Sequence, residues 1–214
     1  MANRSTSGFG LRVAMKLGNS PAIGGQSKYA IKSGLGVGIF KGNPASIQLA
    51  GDTGYIQDSA FSTTDDGNDG GIDFTTANDA LLVGVHNGVF FIDGTTSKPT
   101  FANSVAASAT FGTNPNTNST DGVAFVNDDP DQEYVVKADA AVGQAIFGLC
   151  GNINDFAAGD AKDGASTATF DSGTQAETKM FRIVRSAEDP DNEDLTAAGA
   201  NIIVVINAAA NTYR

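Results

Sequence analysis

Asn201-Ile202-Ile203-Val204-Val205-Ile206-Asn207 is the stretch on which the fold turns. Five consecutive β-branched residues suit a pleated backbone and offer water no polar side. Apolar residues at both parities predict a central strand, covered on both faces by the chain or on one face by another subunit. Further strands are expected before it at 179–185, 166–170, 145–150, 133–138 and 123–126, with turn signals between them. Ala80-Leu81-Leu82-Val83-Gly84-Val85-His86 and Val89-Phe90-Phe91-Ile92 flank Asn87-Gly88. An Asn-Gly pair between two β-forming runs predicts a type I′ hairpin, because both residues tolerate positive φ.

Nearer the N-terminus, Lys28–Ile31 and Val37–Phe40 read as short strands, closed by the turn Lys41-Gly42-Asn43-Pro44. Met1 to about Ile23 is punctuated by glycine and shows no clear period, so it reads as an extended arm. The segment 58–78 is polar and Asp/Gly-rich and reads as an exposed loop, and 102–122 is a small-residue stretch suited to an internal boundary. No segment gives a capped amphipathic helix. The expected fold is mainly β, an antiparallel barrel or sandwich with a Gly-rich N-terminal arm. Its expected divisions are 1–51 (arm and first strands), 52–118 (hairpin region, acidic loop and link) and 119–214 (a C-terminal antiparallel β-domain).

At 214 residues the chain can bury a real core. A single cysteine, Cys150, rules out an internal disulfide, and its apolar surroundings predict a buried, inert thiol. The first residues lack the apolar run of a signal peptide, and no run elsewhere reaches the roughly 20 residues a membrane helix needs. A soluble protein is expected. Charge is unevenly spread: residues 1–51 carry +6 with no Asp or Glu, and 52–214 carry −17, which together give the net −11. Such an acidic body disfavours nucleic acid and anionic membranes as partners. The basic first segment suits an acidic partner surface, or is simply the first strands with spaced lysines. Arg4, Phe9, Leu11, Arg12, Lys16 and Lys28 are the candidate contact residues. Deleting residues 1–25 would then abolish partner binding and leave the body folded.

No constellation argues for catalysis. The one histidine, His86, stands beside the expected hairpin turn without the strand–G-x-S-x-G–helix setting of a hydrolase. One His and one Cys fall short of a zinc site. Gly34-Leu35-Gly36-Val37-Gly38 lacks the Lys-Ser/Thr of a phosphate loop and leads into a strand. A carboxylate-pair glycosidase would want aromatic platforms, and the chain has no Trp and only 4 Tyr. Asn127-Asp128-Asp129-Pro130-Asp131-Gln132-Glu133 and Ala187-Glu188-Asp189-Pro190-Asp191-Asn192-Glu193-Asp194 could offer oxygens to Ca²⁺ but miss the spaced calcium loop; a Pro-directed turn is the stronger reading. No enzyme activity, cofactor, metal or small-molecule substrate is expected.

Across nearly its full length the chain resembles virion structural proteins of marine tailed phages, cyanophages among them. The resemblance rests on Gly8-Phe9-Gly10-Leu11-Arg12, Ile39-Phe40-Lys41-Gly42-Asn43-Pro44, Leu82-Val83-Gly84-Val85 with Phe90-Phe91, and Val123-Ala124-Phe125-Val126-Asn127-Asp128-Asp129-Pro130. Lys179-Met180-Phe181-Arg182-Ile183 and Asp191-Asn192-Glu193 complete it. It implies a decoration (cement) protein on the outer capsid surface, made in the host cytoplasm, trimeric, and bound to the major capsid protein. The group carries no catalytic residues. Two other readings stay open: another β-rich virion part, such as a tail-tube or head–tail joining protein, and a Ca²⁺-dependent surface or carbohydrate-binding module.

Overall fold

The computed structural model describes residues 3–18, 20–22, 25–47, 54–58, 82–154, 159–173, 175–177, 179–208, 211 and 213. The expected loop at 58–78 falls almost wholly outside them. The chain is mainly β and every strand ladder is antiparallel. In order the strands are β1 (Arg12–Lys16), β2 (Ser20–Pro21), β3 (Ser27–Ile31), β4 (Ile39–Phe40), β5 (Pro44–Ile47) and β6 (Ile56–Asp58). Then come β7 (Leu82–Ile92), β8 (Pro99–Ala102), β9 (Ser104–Val105), β10 (Gly122–Asn127), β11 (Gln132–Lys137) and β12 (Cys150–Gly151). The last are β13 (Ile153–Asn154), β14 (Gly159–Asp160), β15 (Ala165–Ser166), β16 (Thr169–Phe170), β17 (Phe181–Ser186) and β18 (Asn201–Ile206).

Two six-stranded sheets carry the fold. One runs β12-β17-β18-β11-β1-β2; the other runs β3-β10-β7-β5-β6, with β8 also on β7. In the second, the edge strands β3 and β6 approach each other, so the sheet curls like part of a barrel. Residues 1–51 serve both sheets, and 119–214 lends β10 to the second.

All six residues of β18 are buried, as its composition requires. Ile202, Val204 and Ile206 enter a core with Tyr134, Phe170, Phe181 and Ile183. On the other face Ile203 and Val205 neighbour Arg185 and Arg182 on β17, and Val135 and Glu133 on β11. The fully buried Glu133 carboxylate accepts two bonds of 2.6 Å from Arg185, so a neutralised pair, with its aliphatic stem, roofs this face. Both faces are therefore covered within one chain.

The expected hairpin at Asn87-Gly88 is corrected: β7 passes straight through it for 11 residues. On one side β10 pairs Phe125 with Gly88 and Val126 with His86, which leaves Asn87 as the extra residue of a bulge. On the other side β5 takes the first half of β7 and β8 the second. A bulge and a type I′ turn want the same residues, and pairing partners distant in sequence decide between them. The chain turns instead at Asp93, whose carboxylate accepts the Thr95 and Thr96 amides and the Thr96 hydroxyl, leading into β8.

Other expectations shift for local reasons. The run 145–150 is broken by Gly148 at φ 88°, giving a 3-10 turn at Gln144–Ile146 and only Cys150–Gly151 as strand. Residues 166–170 divide between β15 and β16, each in its own small sheet. The stretch 102–122 is packed down: Val105 and Phe111 are buried in the second core, with Phe111 stacked on Phe91 at 4.8 Å. β7 feeds both cores, Leu82 and Val85 the first, Val83 and Val89 the second. Cys150 is buried and free, and burial pushes its thiol pKa up.

Candidate interaction surface

The N-terminal segment lies along the chain's own body. The Asn3 side-chain amide donates to the Asp194 and Ala198 carbonyls, and its oxygen accepts the Asp194 amide. The buried Lys137 ammonium donates to the Ser5 and Gly199 carbonyls and to the Asn192 side chain. Desolvation lowers the Lys137 pKa. Gly10 then donates to the Ala168 carbonyl, and Arg12–Lys16 adds to the edge of β11 as a strand.

The two Asp-Pro-Asp segments are equivalent turns. Asp129 and Asp189 each accept, through the side chain, the amide two residues on, and through the carbonyl the amide three residues on. Hydrogen bonds from the Asp191 amide, Asn192 and Asn201 hold the Asp189 carboxyl below its usual pKa. Each turn also takes one N-terminal cation: Lys16 pairs with Asp129, and Arg4 with Asp191 at 2.9 Å. Part of the basic segment's charge is thus met by the acidic body of the same molecule.

Between the sheets lies a cleft of about 440 Å³. Its frame is a backbone chain: Leu11 donates to the Gly42 carbonyl, Gly42 to His86, and His86 to Asn43. Gly42 sits at φ 96°, a conformation that strains any L side chain, and a Cβ there would come a tight 3.3 Å from the Phe9 and Leu11 carbonyl oxygens. Arg12, Lys41, Asn87 and Asn127 line the cleft beside Phe9 and the buried His86. The Arg12 guanidinium stands 4.2 Å from the centre of the Phe9 ring.

Two apolar features face outward. Val13 and Met15 on β1 and Leu17 just after it are 40%, 47% and 39% exposed; a register shift against β11 between Val13 and Lys16 breaks the strand's alternation, and Val13 borders the cleft. On the curled sheet Phe101 is 75% exposed, with ring centres 4.6 Å from Phe90 and 6.3 Å from Phe125.

Of the six residues singled out from sequence, Phe9, Leu11 and Arg12 meet at the cleft. Leu11 is only 3% exposed and belongs to the first core, so it serves packing. Lys16 and Arg4 are tied to the acidic turns, and Lys28 lies apart on β3, across from Phe125. Sequence reading missed Lys41, Asn87 and Asn127 at the cleft and the exposed apolar side chains of Val13, Met15 and Leu17.

Among the described residues no three His, Cys, Asp or Glu side chains gather as a metal site, and no helix is long and apolar enough to cross a membrane. No family model matches the chain, and no curated protein or solved structure matches it.

Proposed function

We propose that this chain is a structural protein of a tailed-phage virion, a decoration protein that binds the outer surface of the head and associates with copies of itself. The observation that carries the reading is the exposure of the apolar side chains Val13, Met15 and Leu17 in the N-terminal segment. Val13 and Met15 sit on a sheet strand whose outer edge, among the described residues, is paired at Met15 and Lys16 by the two-residue β2, and Leu17 follows it. A partner covering these side chains gains apolar burial and, at Arg12–Ala14, a strand edge that no described residue pairs on that side. The net charge of −11 keeps such a surface soluble before assembly. The resemblance of the quoted motifs to marine phage virion proteins supplies the location, the major capsid protein as partner and the trimer as the self-associated form.

The test is co-sedimentation of the purified full-length protein with phage heads prepared without it. Wild type should bind saturably, and Met15→Asp should weaken binding about tenfold or more with little change in melting, because the side chain is already half exposed. Wild-type protein that stays in the supernatant at every concentration would sink the proposal.

A further inference from the structure

From the cleft between the two sheets we infer a second binding function: it takes a carboxylate side chain presented by an acidic peptide segment of a partner protein. The inference rests on the assembly reading only for the source of the peptide; affinity for it belongs to the isolated protein.

The first ground is charge. Arg12 and Lys41 both face the cleft, are exposed, and make no ion pair among the described residues. Lys16 and Arg4, from the same basic segment, are each matched to an Asp of their own chain. Among the described residues no Asp or Glu lines the cleft, although the chain holds 24 of them. Two unmatched cations in a recess free of carboxylates form a local positive site on an acidic molecule, where walls of low dielectric strengthen their pull.

Geometry is the second ground. The Arg12 guanidinium is held over the Phe9 ring, so its fork is oriented before any ligand arrives. A planar fork matches a carboxylate through two parallel hydrogen bonds. Lys41 is placed by backbone bonds from its amide to the Gly164 carbonyl and from the Ser166 amide to its carbonyl. The bulge at Asn87 departs from regular pairing where β7 passes the cleft, as bulges do where a side chain must be re-aimed. Asn87 and Asn127 add amide groups at the rim.

Size and lining are the third ground. At about 440 Å³ the recess lies within the range of small-ligand sites and exceeds what a single inorganic anion fills. Phe9 gives it an apolar wall for the methylene stem of a Glu or for a neighbouring peptide residue. Two cations and an apolar ring in one recess fit an acidic peptide better than a free phosphate.

His86 supplies the readout, because it lines the cleft and is the chain's one histidine. Isotope-labelled full-length protein is titrated with acetyl-tetraglutamate amide, and in a second arm with inorganic phosphate at matched ionic strength. The His86 ring and Asn87 amide resonances should move saturably with the peptide and much less with phosphate. Arg12→Gln combined with Lys41→Gln should weaken the peptide about tenfold or more, whereas Lys98→Gln, an exposed lysine away from the cleft, should leave it unchanged. If the double variant melts early, Lys41→Gln alone serves, with an expected loss of about threefold to tenfold. Three results would overturn the inference: no movement of His86 up to about 10 mM peptide, equal affinity in the Arg12/Lys41 variants, or phosphate binding as tightly as the peptide. Loss of head binding with peptide binding intact would instead fault the virion reading and leave the cleft standing.

Discussion

The sheet built on β18 takes its strands from both ends of the chain, residues 12–21 and 132–206, whereas the sheet built on β7 draws all of its strands from residues 27–127. The first sheet therefore closes only when the N-terminal segment is laid against strands more than 100 residues away. Its core holds the largest fully buried side chains, Tyr134, Phe170 and Phe181. The second sheet keeps an aromatic cluster, Phe90, Phe101 and Phe125, on or near its surface. Long-range closure costs loop entropy, so the first sheet depends on each part of its core more heavily than the second does on its outer face.

The largest effect should follow from removing residues 1–25. That deletion takes away β1, β2 and Leu11 and bares the edge of β11, so the earlier expectation of an intact body does not survive the topology. Hydrogen exchange should show protection lost first at 132–137 and 201–206 and kept longest at 122–127. Uniform loss across both sheets would break the comparison. Next, Phe170→Ala empties a site with no exposed surface and should cost about 3–5 kcal/mol in denaturant unfolding.

A smaller effect, with a pH signature, is expected at Tyr134. Its hydroxyl donates to the Asn127 carbonyl at 3.0 Å, so Tyr134→Phe should cost about 1 kcal/mol near neutrality. Burial first, then the charges of Asp128 and Asp129, raise the phenol above its ordinary range. The folded state keeps the proton that the unfolded chain releases near pH 10, so this contribution is present below about pH 10 and lost as pH rises above it. Tyr29 is raised as well, by burial and by its bonds to Tyr213 and Asp128, so the variant's alkaline decline should be shallower rather than absent. Melting curves that fall in parallel for both proteins above about pH 10 would contradict this. The smallest effect belongs to the second sheet: Phe101→Ala, three-quarters exposed, should stay within about 0.5 kcal/mol of wild type.

Parts of this were legible in the sequence because burial leaves a local mark. β18 announces itself by five β-branched residues, and both Asp-Pro-Asp turns follow from proline and Asx chemistry. Asn87-Gly88 misleads because bulge and turn share a composition, and the partners that choose between them lie at 44–46, 99–102 and 122–127. The clamp of Asn3 and Lys137 on the N-terminal segment spans more than 130 positions and has no local signature. The cleft is assembled from 9–13, 41–42, 86–87, 127 and 165, so no window of sequence contains it.

The central claim is the proposal that the exposed Val13, Met15 and Leu17 are covered by a neighbouring polypeptide in a virus particle. Cryo-EM reconstruction of phage heads incubated with the purified protein tests it directly. The account predicts copies outside the head shell, clustered in threes, with Val13, Met15 and Leu17 against a neighbouring polypeptide. A chain found in the tail or inside the head, or with those three side chains facing open solvent in every copy, would contradict it.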